Sequence, residues 1–550
     1  MASSLKKDIY SLFDWRDPIC VSHYPFPTEK PDSKDLAGLI GLGEENKSHD
    51  PKALYVHIPF CDKICSFCPF NKVLKKESLV EKYIEALKRE INAYAQTKYV
   101  KTSHFGAVNF GGGTPTSLKA EQLVDIIMFI KEKLNVDSDA FISVEGSPSN
   151  FVEEKLEALY KTGVNRVSFG VQTFNKELGE LMELPQSTSR SIKILEYARK
   201  VGYNNICIDL IYNLPGQSLR DWEEDIQKAI DMGIDHITLF SLCMVPGTKL
   251  QGSIVKGEVP SPGDQNDEID KFVVGRDMLR KAGYIQYSIW DFAKPGKIDR
   301  GVQIYYNKQG DLFGTGPAAF GYINQYMYIN KGSITDYVKA TENGELPILV
   351  GKNSTIEDQM RGMISKSLRN YQLDKVHFKE LFGSNPEDVY KKEFDELLEN
   401  GLVEINEKEI KLTDNGGIWG NNVTKMFFEK AETFEWRASL AKGRMPKPEK
   451  EDEKAIPIDK PLKWAEGTEA LMDKLLERRP MFVREKSRKE ITYAASLIAI
   501  KSGRDTIQEG DIVMATLNET PTPFRPTAIS GFRRFGVDVD KYLSERGGAL

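Results

Sequence analysis

Residues 55–72, YVHIPFCDKICSFCPFNK, decide how the rest of this 550-residue chain is interpreted, because they hold half of its six cysteines. These three are Cys61, Cys65 and Cys68. Six cysteines in so long a chain are too few and too unevenly placed for a disulfide framework, so the group predicts a metal or iron–sulfur site. Three thiolates would leave one iron of a four-iron cluster open to a small chelating molecule. Zinc is the alternative, and it would need His57 or His49 as a fourth ligand.

The composition is that of an ordinary globular chain, with 28% charged and 40% hydrophobic residues and a formal net charge of −6. No run of about 18 apolar residues and no apolar leader at the N-terminus is present, so we expect a cytoplasmic protein without a membrane span. No dense stripe of Lys and Arg stands out, which argues against nucleic acid as the main partner.

From Ala53 onward, short apolar runs alternate with amphipathic segments, a pattern typical of βα units around a parallel sheet. The predicted strands are ALYVHI, FGAVNFGG, FISVEG, RVSFGVQ, ICIDLIY, HITLFSL and, with a weaker pattern, IQYSIWDF. Apolar residues at helical spacing predict helices over 78–97 and 120–134. The predicted fold class is therefore α/β, a partial or complete (βα) barrel whose chemistry gathers at the C-terminal ends of its strands.

The chain divides into five predicted segments. They are an N-terminal arm (1–50), the barrel (51–335), a mixed α/β or winged-helix-like domain (336–440), a linker rich in proline and charge (441–461), and a small helical domain with a basic tail (462–550).

Three further motifs follow predicted strands. The glycines of NFGGGTP, residues 109–115, would let backbone close on a ligand, although a simple turn is the alternative. Glu145 in ISVEGSP suits a ribose hydroxyl or an ammonium group. Gln172 and Asp209 lie at or next to strand ends, where a single polar residue is often only a cap or solvated.

With YVHIPFC, FGGGTPT, SVEGSP, RVSFGVQTFN, IDLIYNLPGQ and GTGPAAFGY in one order, the chain resembles the radical S-adenosylmethionine (SAM) superfamily over about residues 50–430. Within it, the chain resembles the oxygen-independent coproporphyrinogen III dehydrogenases, or HemN-like proteins. This branch includes the dehydrogenase, a heme chaperone, and radical C-methyltransferases such as an anaerobic heme-opening enzyme and a menaquinone methyltransferase.

The resemblance implies a [4Fe-4S] cluster on Cys61, Cys65 and Cys68, with SAM on the open iron. One electron, from a donor such as flavodoxin or ferredoxin, would cleave SAM to a 5′-deoxyadenosyl radical. The residues implied around SAM are Tyr55, Phe67, Gly112, Gly113, Thr114, Glu145, Gln172 and Asp209. If a second SAM molecule binds, Gly111 and Ala318 are the further candidates.

Two positions depart from the family pattern. Cys68 is followed by Pro69 and Phe70, where the four-cysteine form of the dehydrogenase continues Cys-x-Cys. Leu184 stands where a SAM-contacting arginine is expected, so Arg190 would have to replace it. The missing cysteine favours radical methylation and ring opening of heme over oxidative decarboxylation of coproporphyrinogen III. A menaquinone methyltransferase and a non-catalytic heme carrier, with His23 or His57 on the iron, are the alternatives.

Residues 464–515, with the core RPMFVREKSRKEITYAA, resemble the small C-terminal domain of light-independent protochlorophyllide reductase. The resemblance implies a tetrapyrrole substrate, whose propionates Arg484, Lys486 and Arg488 would meet, since guanidinium and ammonium groups suit carboxylates. A helical module for subunit contact is the alternative.

Overall fold

The computed structural model describes residues 9–13, 15–17, 23–31, 36–245, 247–307, 309–428, 462–477, 481–519, 529, 532–533 and 535–544. The chain forms two compact units, one of Met1–Gln251 with Pro262–Phe428 and the other of Gly252–Ser261 with Glu429–Leu550. Each unit has a hydrophobic core of its own. None of the described helices has the length and apolar character needed to cross a membrane.

The first unit is built on a twelve-stranded sheet with the strand order β14-β13-β12-β11-β1-β4-β5-β6-β7-β8-β10-β9. The strands of this unit are β1 (Lys52–Ile58), β2 (Phe60–Cys61), β3 (Val73–Leu74), β4 (Phe105–Gly112), β5 (Val136–Gly146), β6 (Arg166–Gln172), β7 (Ile206–Tyr212), β8 (His236–Ser241), β9 (Ile285–Gln286), β10 (Asp291–Ala293), β11 (Leu312–Thr315), β12 (Phe320–Ile323), β13 (Tyr326–Asn330), β14 (Ile348–Asn353), β15 (Gln372–Asp374), β16 (Val403–Ile405) and β17 (Glu409–Leu412). The seven strands from β11 to β8 are parallel, so their C-terminal ends share one edge.

Helices connect the strands, as the sequence pattern predicts. They are α1 (Leu36–Leu39), α2 (Glu77–Ala95), α3 (Lys98–Lys101), α4 (Ala120–Lys133), α5 (Glu153–Lys161), α6 (Lys176–Leu181), α7 (Thr188–Val201), α8 (Leu219–Asp231), α9 (Lys249–Val255), α10 (Gln265–Lys281), α11 (Arg300–Val302), α12 (Ile334–Glu342), α13 (Ile356–Arg369), α14 (Lys375–Phe382), α15 (Pro386–Val389), α16 (Lys391–Glu399), α17 (Asp414–Ile418) and α18 (Gly420–Lys425). Short helical turns of other types cover Pro115–Ser117 and Gln303–Asn307. One face of α2 and one face of α4 are buried in the core, which explains their periodic apolar residues.

The predicted α/β class and partial barrel are confirmed, because the described strands leave β14 and β9 as the two edges of the sheet. Six of the seven predicted strands are parallel members of it. The prediction of a single strand for IQYSIWDF is wrong. This segment forms two short strands, β9 and β10, which pair antiparallel at the edge of the sheet beside β8. The sequence did not indicate β11, which has four residues and lies between Gly310 and Gly316, too short a run for a periodic pattern.

The region after the barrel packs into the same unit. Strand β14 still belongs to the large sheet, although it lies beyond residue 335. A three-stranded antiparallel sheet, β15-β17-β16, follows among helices, in the winged-helix-like manner expected. The described part of the N-terminal arm is anchored here, because Ile9 and Ile418 carbonyls accept hydrogen bonds from Trp419 Nε1 (3.0 Å) and Arg16 Nε (2.8 Å).

The second unit is mainly helical. Its helices are Thr468–Glu477, Met481–Lys501, Glu509–Glu519 and Val539–Ser544. Two short strands, β18 (Lys463–Trp464) and β19 (Thr506–Ile507), pair in parallel. The predicted linker, 441–461, lies outside the described residues.

Candidate functional site

A loop that carries the three cysteines, residues 59–76 and here called the cysteine loop, leaves the C-terminal end of β1. Its two ends are joined by the pairing of β2 with β3. Buried Ser66 donates a hydrogen bond to the Met182 carbonyl (2.9 Å), and Lys72 Nζ donates one to the Cys68 carbonyl (2.6 Å). The Ser66 bond ties the cysteine loop to the segment after β6, and the Lys72 bond stabilises the loop internally.

The three thiols influence one another and are largely shielded from water. Burial raises the pKa of Cys61, and burial together with the charges of Cys68 and Cys61 raises the pKa of Cys65 to about 12. Cys61 Sγ lies 3.3 Å from Thr114 Oγ1, at the end of the glycine-rich turn. Neutral thiols of this kind lose their protons when iron binds, so cluster assembly here depends on pH.

The donor set fits a four-iron cluster better than a single ion. Among the described residues, no group of three His, Cys, Asp or Glu side chains is arranged to hold one metal ion. A zinc ion would require its ligands to converge on one point, whereas each thiolate of a four-iron cluster binds a different iron. Phe70, at the position of the additional family cysteine, is 64% exposed and supplies no ligand. Three thiols therefore leave one iron open.

The glycine-rich turn packs directly on the backbone that leaves β1. Gly113 N donates to the Ile58 carbonyl and Thr114 N donates to the Phe60 carbonyl, each at 2.8 Å. Gly112 has a φ of +116°, which favours glycine. Since these N–H groups bond within the protein, they are not free to cradle a phosphate, and the phosphate-loop interpretation is weakened.

Residues on three adjacent strands lie together beside this turn, at a place here called the SAM recess after the ligand that the resemblance implies. A Cβ atom on Gly111 would lie 2.9 Å from Glu145 Oε2 and 3.0 Å from Tyr55 Cε2, so the three residues are in contact. The Tyr55 hydroxyl lies 3.3 Å from His57 Nδ1. Glu145 remains accessible although protein surrounds it, as expected for a side chain that lines a concavity.

Two carboxyl groups at this edge of the sheet, Glu145 on β5 and Asp209 on β7, are electrostatically coupled. Burial raises the pKa of Glu145 to about 7, and the charge of Asp209 adds to the shift. Burial also raises the pKa of Asp209 to about 7, with Arg166 opposing the shift and Asp291 adding to it. Both groups therefore change protonation near neutral pH, where a cationic or hydroxyl-bearing ligand would favour their ionised forms.

The structure places the remaining predicted SAM residues at the same edge. Gln172 ends β6 at a bulge with a φ of 69°, a strained conformation for a residue other than glycine. Ala318 also has a positive φ, 60°, and lies beside Gly332, whose carbonyl accepts a hydrogen bond from Asn71 of the cysteine loop. Phe67 is half-buried within the cysteine loop.

Other predicted residues are engaged elsewhere. The Arg190 guanidinium donates to the carbonyls of Pro148 (3.2 Å) and Phe151 (2.6 Å) and pairs with Glu153, so the segment after β5 already occupies it. In the second unit, Arg488 pairs with Asp473. The side chains of Arg484 and Lys486 lie outside the described residues.

The sequence did not reveal the residues that anchor the cysteine loop. Ser66, Asn71 and Lys72 each bond to a carbonyl group, and their partners are Met182, Gly332 and Cys68. The only available signal was that these polar residues lie within or directly after the group of cysteines. Their partners, apart from Cys68, are distant in sequence, so no local pattern could identify them.

Comparison with known proteins gives consistent matches to the first unit. The model of the radical SAM superfamily matches residues 55–229, and that of the HemN C-terminal domain matches residues 355–419. The heme chaperone HemW of Bacillus subtilis is 33% identical over 381 residues, 68% of this chain and 99% of that protein. The anaerobilin synthase of Escherichia coli O157:H7 is 30% identical over 419 residues, 74% of this chain and 90% of that protein.

A solved structure agrees with these matches. The coproporphyrinogen III oxidase HemN from Escherichia coli, described as a radical SAM enzyme, superposes with a TM-score of 0.65 at 27% identity. The match covers 74% of this chain and 96% of that chain. The arrangement of the barrel and the domain after it is therefore shared.

Proposed function

The chain belongs to the radical SAM superfamily and to its HemN-like branch, and on that premise we propose that it modifies a tetrapyrrole by radical methylation and ring opening of heme. The family uses a [4Fe-4S] cluster and SAM. When bound, this pair supplies a one-electron cleavage that yields a strongly oxidising carbon-centred radical. A small electron carrier such as flavodoxin or ferredoxin is the proposed donor.

The observation that carries the proposal is a three-thiol loop beside an accessible recess, without the additional thiol of the dehydrogenase. Cys61, Cys65 and Cys68 would hold the cluster. Phe70 is exposed where the additional cysteine would stand, which supports a reaction other than the decarboxylation of coproporphyrinogen.

The chain's own residues would bind and orient SAM. Tyr55 and the Gly111 backbone form one wall of the recess, and Glu145 and Asp209 offer carboxylates to an ammonium group or to ribose hydroxyls. Gln172 and Ala318 hold strained conformations at the same edge, as is common for residues that contact a ligand. The buried parallel sheet beneath them would form the floor of the site and shield bound SAM from water on that side.

Heme carriage without catalysis is the second candidate. It is favoured by the similarity to the heme chaperone HemW, since the match spans 99% of that protein. A carrier would bind heme stoichiometrically and consume no SAM beyond abortive cleavage.

One anaerobic assay separates these reactions. Reconstituted, reduced protein receives SAM labelled in its methyl group together with either heme or coproporphyrinogen III. We expect label in a heme-derived product, while carbon dioxide released from coproporphyrinogen III would contradict the proposal. Cys68→Ala should abolish labelling, and Cys243→Ala, outside the cysteine loop, is the matched control.

A further inference from the structure

A cluster of basic and aromatic side chains lies in the first unit, next to the SAM recess. We call it the Lys366 cluster, and it consists of His23, Tyr305, Phe320, Tyr322, Lys366 and Arg369. Burial raises the pKa of Tyr55, and the neighbouring Glu145 and Tyr306 add to that shift, so Tyr306 adjoins the recess. The rings of Tyr305 and Tyr306 are 4.8 Å apart. Tyr305 and Tyr306 therefore link the Lys366 cluster to Tyr55 of the recess.

Lys366 carries a buried amine that faces no anion among the described residues. Its side chain belongs to a residue that is 3% exposed, and its Nζ lies 4.5 Å from the ring centres of Tyr305 and Tyr322. Among the described residues, Nζ has no hydrogen-bond partner. Burial lowers the pKa of Lys366 to about 7. A buried ammonium group is costly unless it is paired, so this position favours an anionic ligand.

A second cation stands on the same face of α13. Arg369 lies three residues after Lys366, a spacing that brings two side chains together on a helix. Its guanidinium carbon is 4.1 Å from the ring centre of Tyr306 and 4.3 Å from that of Trp290. Arg369 is half-buried, so part of its side chain remains accessible. Two cations among aromatic rings suit a flat aromatic molecule that carries carboxylates.

His23 supplies a neutral imidazole beside these cations. Its ring stacks on Phe320 with centroids 4.2 Å apart, and its Nδ1 lies 3.3 Å from the Tyr305 hydroxyl. Burial and the charges of Arg369 and Lys366 lower the pKa of His23 to about 3. When Nδ1 carries the proton and donates to Tyr305, the lone pair of Nε2 is available, since within the described residues Nε2 makes no hydrogen bond. A neutral imidazole oriented through its other nitrogen is a typical metal ligand.

We propose that the Lys366 cluster binds an iron tetrapyrrole, with His23 Nε2 on the iron and Lys366 and Arg369 paired with the carboxylates. This inference rests on the proposed function and assigns its substrate site. It places the carboxylate contacts in the first unit, whereas the sequence suggested Arg484, Lys486 and Arg488. A menaquinone has no carboxylate to match these cations, so the cluster also argues against that alternative.

The test uses the full-length protein and three probes: ferric protoporphyrin IX, its dimethyl ester, and metal-free protoporphyrin IX. Affinity and the visible spectrum are measured by titration. We expect the wild type to bind the iron diacid at least about tenfold more tightly than the ester, because the ester cannot form charged hydrogen bonds with Lys366 and Arg369. Equal affinities would overturn the carboxylate assignment without any mutation.

Variants separate the two contacts. His23→Ala should change the spectrum of bound iron porphyrin and weaken its binding while metal-free porphyrin binds as before. Lys366→Met should weaken the diacid roughly tenfold and leave the ester unchanged. His377→Ala and Lys391→Met, which replace residues away from the cluster, are the matched controls. The assignment is refuted if iron porphyrin bound to His23→Ala has the wild-type spectrum. It is also refuted if Lys366→Met lowers the affinity for the diacid and for the ester equally.

Failure of the site and failure of the proposed reaction are distinguishable. If heme binds through His23 and Lys366 but no methyl label enters a product, the binding site stands and the reaction is wrong. If label enters a heme-derived product equally in wild type, His23→Ala and Lys366→Met, the reaction stands and the site is wrong.

Discussion

Gly113 shows how one residue holds the cysteine loop to the sheet. An alanine Cβ there would lie 2.8 Å from the Pro59 carbonyl carbon and 2.9 Å from the Phe60 carbonyl oxygen. Both are backbone atoms, so the clash cannot be relieved by a side-chain rotation. We expect Gly113→Ala to displace the cysteine loop, to cost about 1–3 kcal/mol in the free energy of unfolding, and to reduce cluster content.

Iron bound per chain after reconstitution and the melting temperature measure this effect. Gly43→Ala is the control, because an added Cβ at Gly43 would meet nothing within 4 Å. Full iron content in Gly113→Ala would show that the turn does not position the cluster ligands.

Glu145 should make SAM binding depend on pH. Its pKa of about 7 lies above the ordinary 4.5, so at pH 6 most molecules carry a neutral carboxyl group and at pH 8 most carry a carboxylate. If the carboxylate contacts SAM, affinity should rise about tenfold from pH 6 to pH 8, as the ionised fraction does.

Glu145→Gln should bind SAM more weakly than the wild type at pH 8 and should lose most of this slope. Asp209 titrates in the same range, so Asp209→Asn is measured in parallel to separate the two contributions. Calorimetric titration of SAM at several pH values is the measurement. An unchanged slope in Glu145→Gln would assign the dependence to another group.

At the scale of elements, long periodic segments were predictable and short ones were not. Helices α2 and α4 and six parallel strands follow from apolar spacing, and the glycine-rich turn and Glu145, both predicted at strand ends, lie together in the structure. Strand β11 and the β9–β10 hairpin are too short to carry a pattern. Lys366 was missed because it lies between buried residues of the amphipathic helix α13, and only tertiary packing shows that its Nζ has no hydrogen-bond partner among the described residues.

Glu90 joins three elements and the turn after β11, and it should give the fold a pH-dependent stability. This buried residue of α2 accepts hydrogen bonds from Gly316 N (2.8 Å), Asn330 Nδ2 (2.7 Å) and the Tyr337 hydroxyl (2.5 Å). Burial nevertheless raises its pKa from 4.5 to about 7, with the three hydrogen bonds opposing the shift. The folded state therefore binds the proton more tightly than the unfolded state does.

The contribution of Glu90 to the free energy of unfolding is fully present below about pH 4.5 and is lost as the pH rises through about 7. The loss amounts to about 3 kcal/mol, since one pKa unit corresponds to about 1.36 kcal/mol. The glutamine in Glu90→Gln resembles the protonated form of Glu90. The melting temperature of this variant should therefore decrease less between pH 5 and pH 8 than that of the wild type. Other buried carboxyl groups titrate in both proteins, so the difference between the two profiles isolates Glu90. Parallel profiles would show that Glu90 is ionised throughout.

At the scale of the whole molecule, all the proposed binding sites lie in the first unit. The first unit contains the cysteine loop, the SAM recess and the Lys366 cluster. The second has its own core around Met472, Ile491 and Ile512, and Arg488 is already paired with Asp473. The similarity of the second unit to light-independent protochlorophyllide reductase stays a prediction, and so does its role in binding a tetrapyrrole.

A chain ending at residue 440 tests this division. We expect it to fold, to take up the cluster and to cleave SAM, because the match to HemW spans 99% of that protein with only 68% of this chain. Its affinity for ferric protoporphyrin IX should equal that of the full chain, since both proposed cations and His23 remain. If heme affinity falls while SAM cleavage persists, the carboxylate contacts lie in the second unit, as the resemblance of residues 464–515 implies. Full-length Arg488→Met, titrated beside the truncated chain, then shows whether that side chain contributes to the loss.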